Sequence, residues 1–65
     1  MYKYYLVINL EDEKKQEYQL DLSYKAYDSV DAEIISDTIT KNLKGFRSYT
    51  IYRRDFSLVK RYIKK

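Results

Sequence analysis

The chain should fold as an α+β domain: a small antiparallel sheet of three to four strands with one helix packed on one face, in β-β-α-β-β order. Three observations predict this. Residues 2–10 and 17–25 alternate apolar and polar side chains, residues 30–43 repeat apolar side chains at helical spacing, and residues 46–54 return to strand character. Sixty-five residues leave room for a single small domain, 1–65.

In the first strand Tyr2, Tyr4, Leu6, Ile8 and Leu10 share one face. Lys3, Tyr5, Val7 and Asn9 share the other, which is therefore not purely polar. The charged stretch Glu11–Lys15 is a hairpin loop. The second strand is stricter, with Tyr18, Leu20, Leu22 and Tyr24 on one face and Gln19, Asp21, Ser23 and Lys25 on a wet one.

Asp28-Ser29 opens the helix, because either side chain can accept a bond from an orphan backbone N–H. Asp31 and Glu33 in the first turn, and Lys41 and Lys44 near the end, suit the helix dipole. Val30, Ile34, Ile35, Ile39 and Leu43 recur at helical spacing, and Gly45 is expected at C′, where a left-handed conformation ends the helix. In the third strand Tyr49 and Ile51 fall on the core face, with Phe46, Ser48, Thr50 and Tyr52 opposite, although a slip of one residue would exchange the sets. Residues 56–65 fit a fourth strand better than a helical stripe, with Arg54-Asp55 as the turn before it. The expected core is Leu6, Ile8, Leu20, Leu22, Ile35, Ile39, Leu43 and Ile51.

Composition narrows the chemistry. The chain has no Cys, His, Trp or Pro and a single Gly. It therefore lacks the commonest general acid–base, the most reactive nucleophile and any Gly-rich phosphate loop. Glu11, Asp12 and Glu13 lie in a solvated turn without the glycine and ligand order of a calcium loop. The expectation is a protein that is not an enzyme, with no cofactor and no metal site. The longest apolar run, Tyr4–Ile8, is far short of the roughly 20 residues of a membrane span. It runs into acids without a signal-type cleavage site, so the expected location is the cytoplasm.

Charge is divided along the chain. Residues 1–40 carry a net −5 and residues 41–65 a net +8. The basic part interleaves cations with rings, the pairing that holds single-stranded nucleic acid: cations track phosphates and rings stack on bases. Arg47, Tyr52, Arg53, Arg54, Lys60, Arg61 and Tyr62 are the candidate contacts to nucleic acid or to an acidic protein surface. Tyr5 and Val7 are candidate interface residues of the open sheet face. The alternative is an inhibitor or adaptor that occludes a host enzyme or defence complex through that face or through an edge strand. A homodimer is compatible with either and would relieve a small core. The short length and the Lys-, Ile- and Tyr-rich composition point to a phage or mobile-element product, in which case the cytoplasm is the host's.

Overall fold

The computed structural model describes residues 1–65. Two strands, β1 (Tyr2–Glu11) and β2 (Glu17–Ala26), are followed by the helix α1 (Ser29–Thr40) and by strands β3 (Phe46–Arg53) and β4 (Leu58–Ile63). The strands form one antiparallel sheet in the order β2-β1-β3-β4. The expected β-β-α-β-β order, with one helix over one sheet face, is what the chain adopts, and residues 56–65 supply a strand.

The hairpin turn is built by Asp12, whose carboxylate accepts bonds from the N–H groups of Lys14 (2.8 Å) and Gln16 (2.9 Å). It holds Lys15 in the left-handed region at φ 66°. β1 lies inside the sheet, so its alternation becomes a buried row of Tyr4, Leu6, Ile8 and Leu10. Opposite them lie Leu22 and Leu20 on one side and Ile51 and Tyr49 on the other.

Asp28 caps α1 by accepting the Asp31 N–H at 2.8 Å, and the Asp31 carboxylate accepts the Tyr27 N–H at 2.9 Å. The face that α1 presents to the sheet is small: Ala32, Ser36 and Thr40 are buried. Two tyrosines flank this seam. The Tyr24 hydroxyl donates to the Ala32 carbonyl (2.8 Å) and pairs with the Ser36 hydroxyl (2.7 Å). The Tyr49 hydroxyl donates to Asp37 Oδ1 at 2.5 Å. Burial pushes both phenols above the ordinary tyrosine range, and at Tyr49 the Asp37 carboxylate adds to the effect.

Four expectations are corrected. Leu20 and Leu22 are each 41% exposed. β2 is an edge strand, and the single helix does not reach far enough to cover its inward row. Val30 and Ile34 share the helical spacing of the buried residues but lie on the outer face of α1, also exposed. Phe46 is on the core side, because the register shifts between Asn9 and Leu10: β3 carries Arg47 as an extra, bulged residue, which brings Phe46 opposite Leu10. Finally, α1 ends at Thr40, with Lys41 still in right-handed geometry, so Gly45 is not its C′ residue. Gly45 has φ 82°, its carbonyl accepts the Glu11 N–H at 2.8 Å, and a Cβ on it would sit 2.1 Å from the Glu11 carbonyl oxygen. Close approach of the loop to β1, rather than helix termination, demands glycine there.

Candidate functional site

The sheet face away from α1 carries Tyr5 and Val7 from β1, and Tyr52 lies directly opposite Tyr5. The β3–β4 turn folds Phe56 onto this face, where its ring stacks on Tyr5 with centroids 5.0 Å apart. Phe56 is held at φ 65°, a left-handed conformation costly for a bulky residue, and is 69% exposed. The turn fixes it there. The Arg53 N–H bonds to the Ser57 carbonyl (2.9 Å), the Phe56 N–H to the Arg53 carbonyl (2.8 Å), and the Ser57 N–H to the Asp55 carboxylate (2.9 Å). Hydrogen bonds from Ser57, with Arg53 nearby, hold the Asp55 carboxyl below its usual range. A strained backbone that displays an exposed ring is a feature that function more readily explains than packing does.

Beside this ring pair the sheet ends in cations. The register sets Lys3 directly opposite Lys25. Like charges facing each other across a strand pair are destabilising unless an opposite charge lies between them. Arg53 and Arg54 close the same end, and with Tyr2, Tyr4 and Tyr5 these residues line an open concavity of about 1020 Å³. Asp55 is the one acid among its lining residues, and none of the four cations is in a salt bridge. The Lys3 ammonium lies 5.2 Å from the centre of the Tyr5 ring, within cation–π reach.

The structure thus places Arg53 and Arg54 at the sheet end beside Tyr5. Tyr5, Tyr52 and Val7 lie on the open face, whereas Arg53, opposite Tyr4, belongs to the helix-side row and reaches the concavity around the end of the sheet. The structure disperses the other expected contacts. Arg47 is at the far end of β3 and pairs with Glu11 at 3.4 Å. Lys60 bonds to Glu33 of α1, which raises the lysine's pKa. Tyr62 lies on the helix side, its ring 5.4 Å from that of Tyr49 and 6.1 Å from that of Phe46. Arg61, opposite Thr50, is exposed on the open face without an acidic partner. Sequence reasoning missed Lys3, Lys25 and Phe56. The two lysines are brought together only by strand register, and the signal for it was the hairpin itself: pairing Glu11 with Glu17 makes Lys3 face Lys25.

No helix is long and apolar enough to cross a membrane. No family model, no curated protein and no solved structure matches this chain.

Proposed function

We propose that this chain is a non-catalytic binding protein of phage or mobile-element origin that engages single-stranded nucleic acid at the basic end of its sheet. The observation that carries the reading is the Lys3–Lys25 like-charge pair, flanked by Arg53 and Arg54 and lying beside the Tyr5–Phe56 stack, whose Phe56 ring is exposed. The cations track consecutive phosphates, and bases stack on Phe56 and Tyr52. No backbone bond reads a base edge in this arrangement, so binding is expected to tolerate many sequences.

Fluorescence anisotropy with labelled single-stranded DNA and RNA, and with duplex DNA, tests it. Four phosphate contacts give a log–log salt slope of about −2.8 on a single strand, a loss of roughly 50-fold in affinity between 50 and 200 mM salt. Arg53→Ala with Arg54→Ala should halve that slope. Phe56→Ala should weaken binding about tenfold with the slope unchanged, because stacking carries no counterion. Absence of binding at low salt would overturn the reading.

A second reading has its own support. Leu58 and Ile63 of β4 are about three-fifths exposed on the open face, which extends the apolar surface of Tyr5, Val7 and Tyr52. An inhibitor or adaptor of a host enzyme or defence complex would use such a surface to occlude its target. Arg61 would then lie at its centre and meet an acidic group of that target. If nucleic acid does not bind, this is the reading that stands.

A further inference from the structure

We infer that the chain pairs with a second copy of itself through the free edge of β2, which joins two sheets into one of eight strands. The two outer edges of the sheet differ sharply. β4 is short, is bulged against β3, and presents Arg61 without an acidic partner, features that blunt an edge against pairing. β2 runs for 10 residues in unbroken register with β1 and has no proline or bulge to blunt it. Its inward row of Tyr18, Leu20 and Leu22 is 44, 41 and 41% exposed, uncovered by α1.

The hydrogen-bond phase of this edge can be read from its neighbours. The Asp12 N–H bonds to the Gln16 carbonyl, whereas the Glu11 N–H turns away to Gly45. Backbone groups alternate in direction along an antiparallel strand. Even-numbered residues of β2 therefore face β1, and Gln19, Asp21, Ser23 and Lys25 direct their N–H and C=O groups to the free edge.

The outward side chains make this edge complementary to itself when reversed. Along the open face β2 reads Glu17, Gln19, Asp21, Ser23, Lys25, acidic at its start and basic at its end. None of the three charged residues is in a salt bridge. Antiparallel pairing centred on Leu22 sets Leu22 against Leu22, Leu20 against Tyr24, and Ser23 against Asp21. Lys25 then faces Gln19 and lies diagonally between Glu17 and Asp21 of the second copy; no like charges stand directly opposite, and the two Asp21 side chains, diagonal to each other, each also lie diagonal to a Lys25. Centring the pair on Asp21 instead would oppose two aspartates, and centring it on Leu20 would oppose Lys25 to Lys15. The two α1 helices fall on the same side of the joined sheet, and the exposed Leu20–Leu22 strips are enclosed between them.

Sedimentation and light scattering from micromolar to millimolar concentration should show a species of twice the 8.0 kDa chain. Ser23→Pro removes an N–H that points to the free edge, and the ladder to β1 does not use it. It should therefore leave a folded monomer. Leu22→Lys, at a half-exposed position, should do the same by opposing two lysines. Lys25→Glu alone, and Glu17→Lys with Asp21→Lys alone, should each be monomeric, and mixing the two should restore a heterodimer. In the wild type, amide exchange at Gln19, Asp21, Ser23 and Lys25 should slow as concentration rises. A wild-type monomer throughout the range would overturn the proposal and leave the edge to a strand of another protein. A dimer that persists in both Ser23→Pro and Leu22→Lys would overturn it in favour of another surface.

Discussion

Ile8→Ala and Leu20→Ala delete side chains that face each other across the β1–β2 pair, yet they should differ widely in cost. Each removes three carbons, worth about 0.8 kcal/mol apiece on burial, or about 2.4 kcal/mol at most. Ile8 is fully buried, so its loss also leaves a cavity, and the total should reach about 3–5 kcal/mol. Leu20 is 41% exposed and borders solvent, so about three-fifths of the transfer value applies and no cavity closes: about 1.4 kcal/mol. A domain of this length has a total stability of about 3–10 kcal/mol. Ile8→Ala should therefore lose from about a third to all of that stability, whereas Leu20→Ala should melt roughly 6–11 °C below the wild type. Urea titration followed by circular dichroism at low micromolar concentration, where self-association does not contribute, gives both numbers. Equal losses in the two variants would refute the view that α1 leaves the β2 row uncovered. A Leu20→Ala cost that grows with protein concentration is the signature of the edge-paired dimer, because only there is Leu20 enclosed.

Gly45→Ala should destabilise by more than about 2 kcal/mol, since it combines a left-handed residue with a Cβ 2.1 Å from the Glu11 carbonyl oxygen. A melting temperature within error of the wild type would show that the loop relaxes away from β1. At alkaline pH the burial-raised phenols of Tyr24 and Tyr49, and Lys60 held by Glu33, all have folded-state pKa values above those of the unfolded chain. Their contribution to stability is complete below about pH 10 and is lost as pH rises through the folded-state values. Tyrosinate absorbance should therefore show Tyr24 and Tyr49 ionising only with loss of the circular dichroism signal. Ionisation of Tyr24 and Tyr49 in a still folded chain would contradict the buried seam.

The fold was legible because its signals are local. Period-two alternation in β1 and β2, the Asp28 cap and the turn at Asp12 each depend on residues close in sequence. What could not be read depends on distance in the chain. Leu20 and Leu22 alternate as regularly as Leu6 and Ile8, and only strand order, with β1 inside and β2 outside, separates buried from exposed. A single bulge moved Phe46 from one face to the other, since side-chain direction reverses with each residue. The basic half of the chain marked Arg53 and Arg54, but most of its other cations are spent on acids or spread along β4: Arg47 on Glu11, Lys60 on Glu33. The cations that join the arginines, Lys3 and Lys25, come from the half whose net charge is negative.

Lys25 connects the two proposals. In the monomer it faces Lys3 with no acid between them, and an anion at the sheet end relieves that repulsion. In the dimer the same ammonium lies between Glu17 and Asp21 of the second copy, and the repulsion is relieved without an anion. One cation cannot be fully neutralised twice, so each form of relief weakens the other. By linkage, the factor by which self-association lowers affinity for a phosphate chain equals the factor by which that chain lowers self-association. The rotation that pairs β2 with its copy also sends the two basic ends to opposite ends of the joined sheet. A single strand would then meet two separate sites, each keeping Arg53, Arg54 and Lys3, rather than one continuous groove. Length dependence follows from that separation. A short oligonucleotide draws the chain toward monomer, whereas one long enough to span both ends gains a second, intramolecular contact that only the dimer offers.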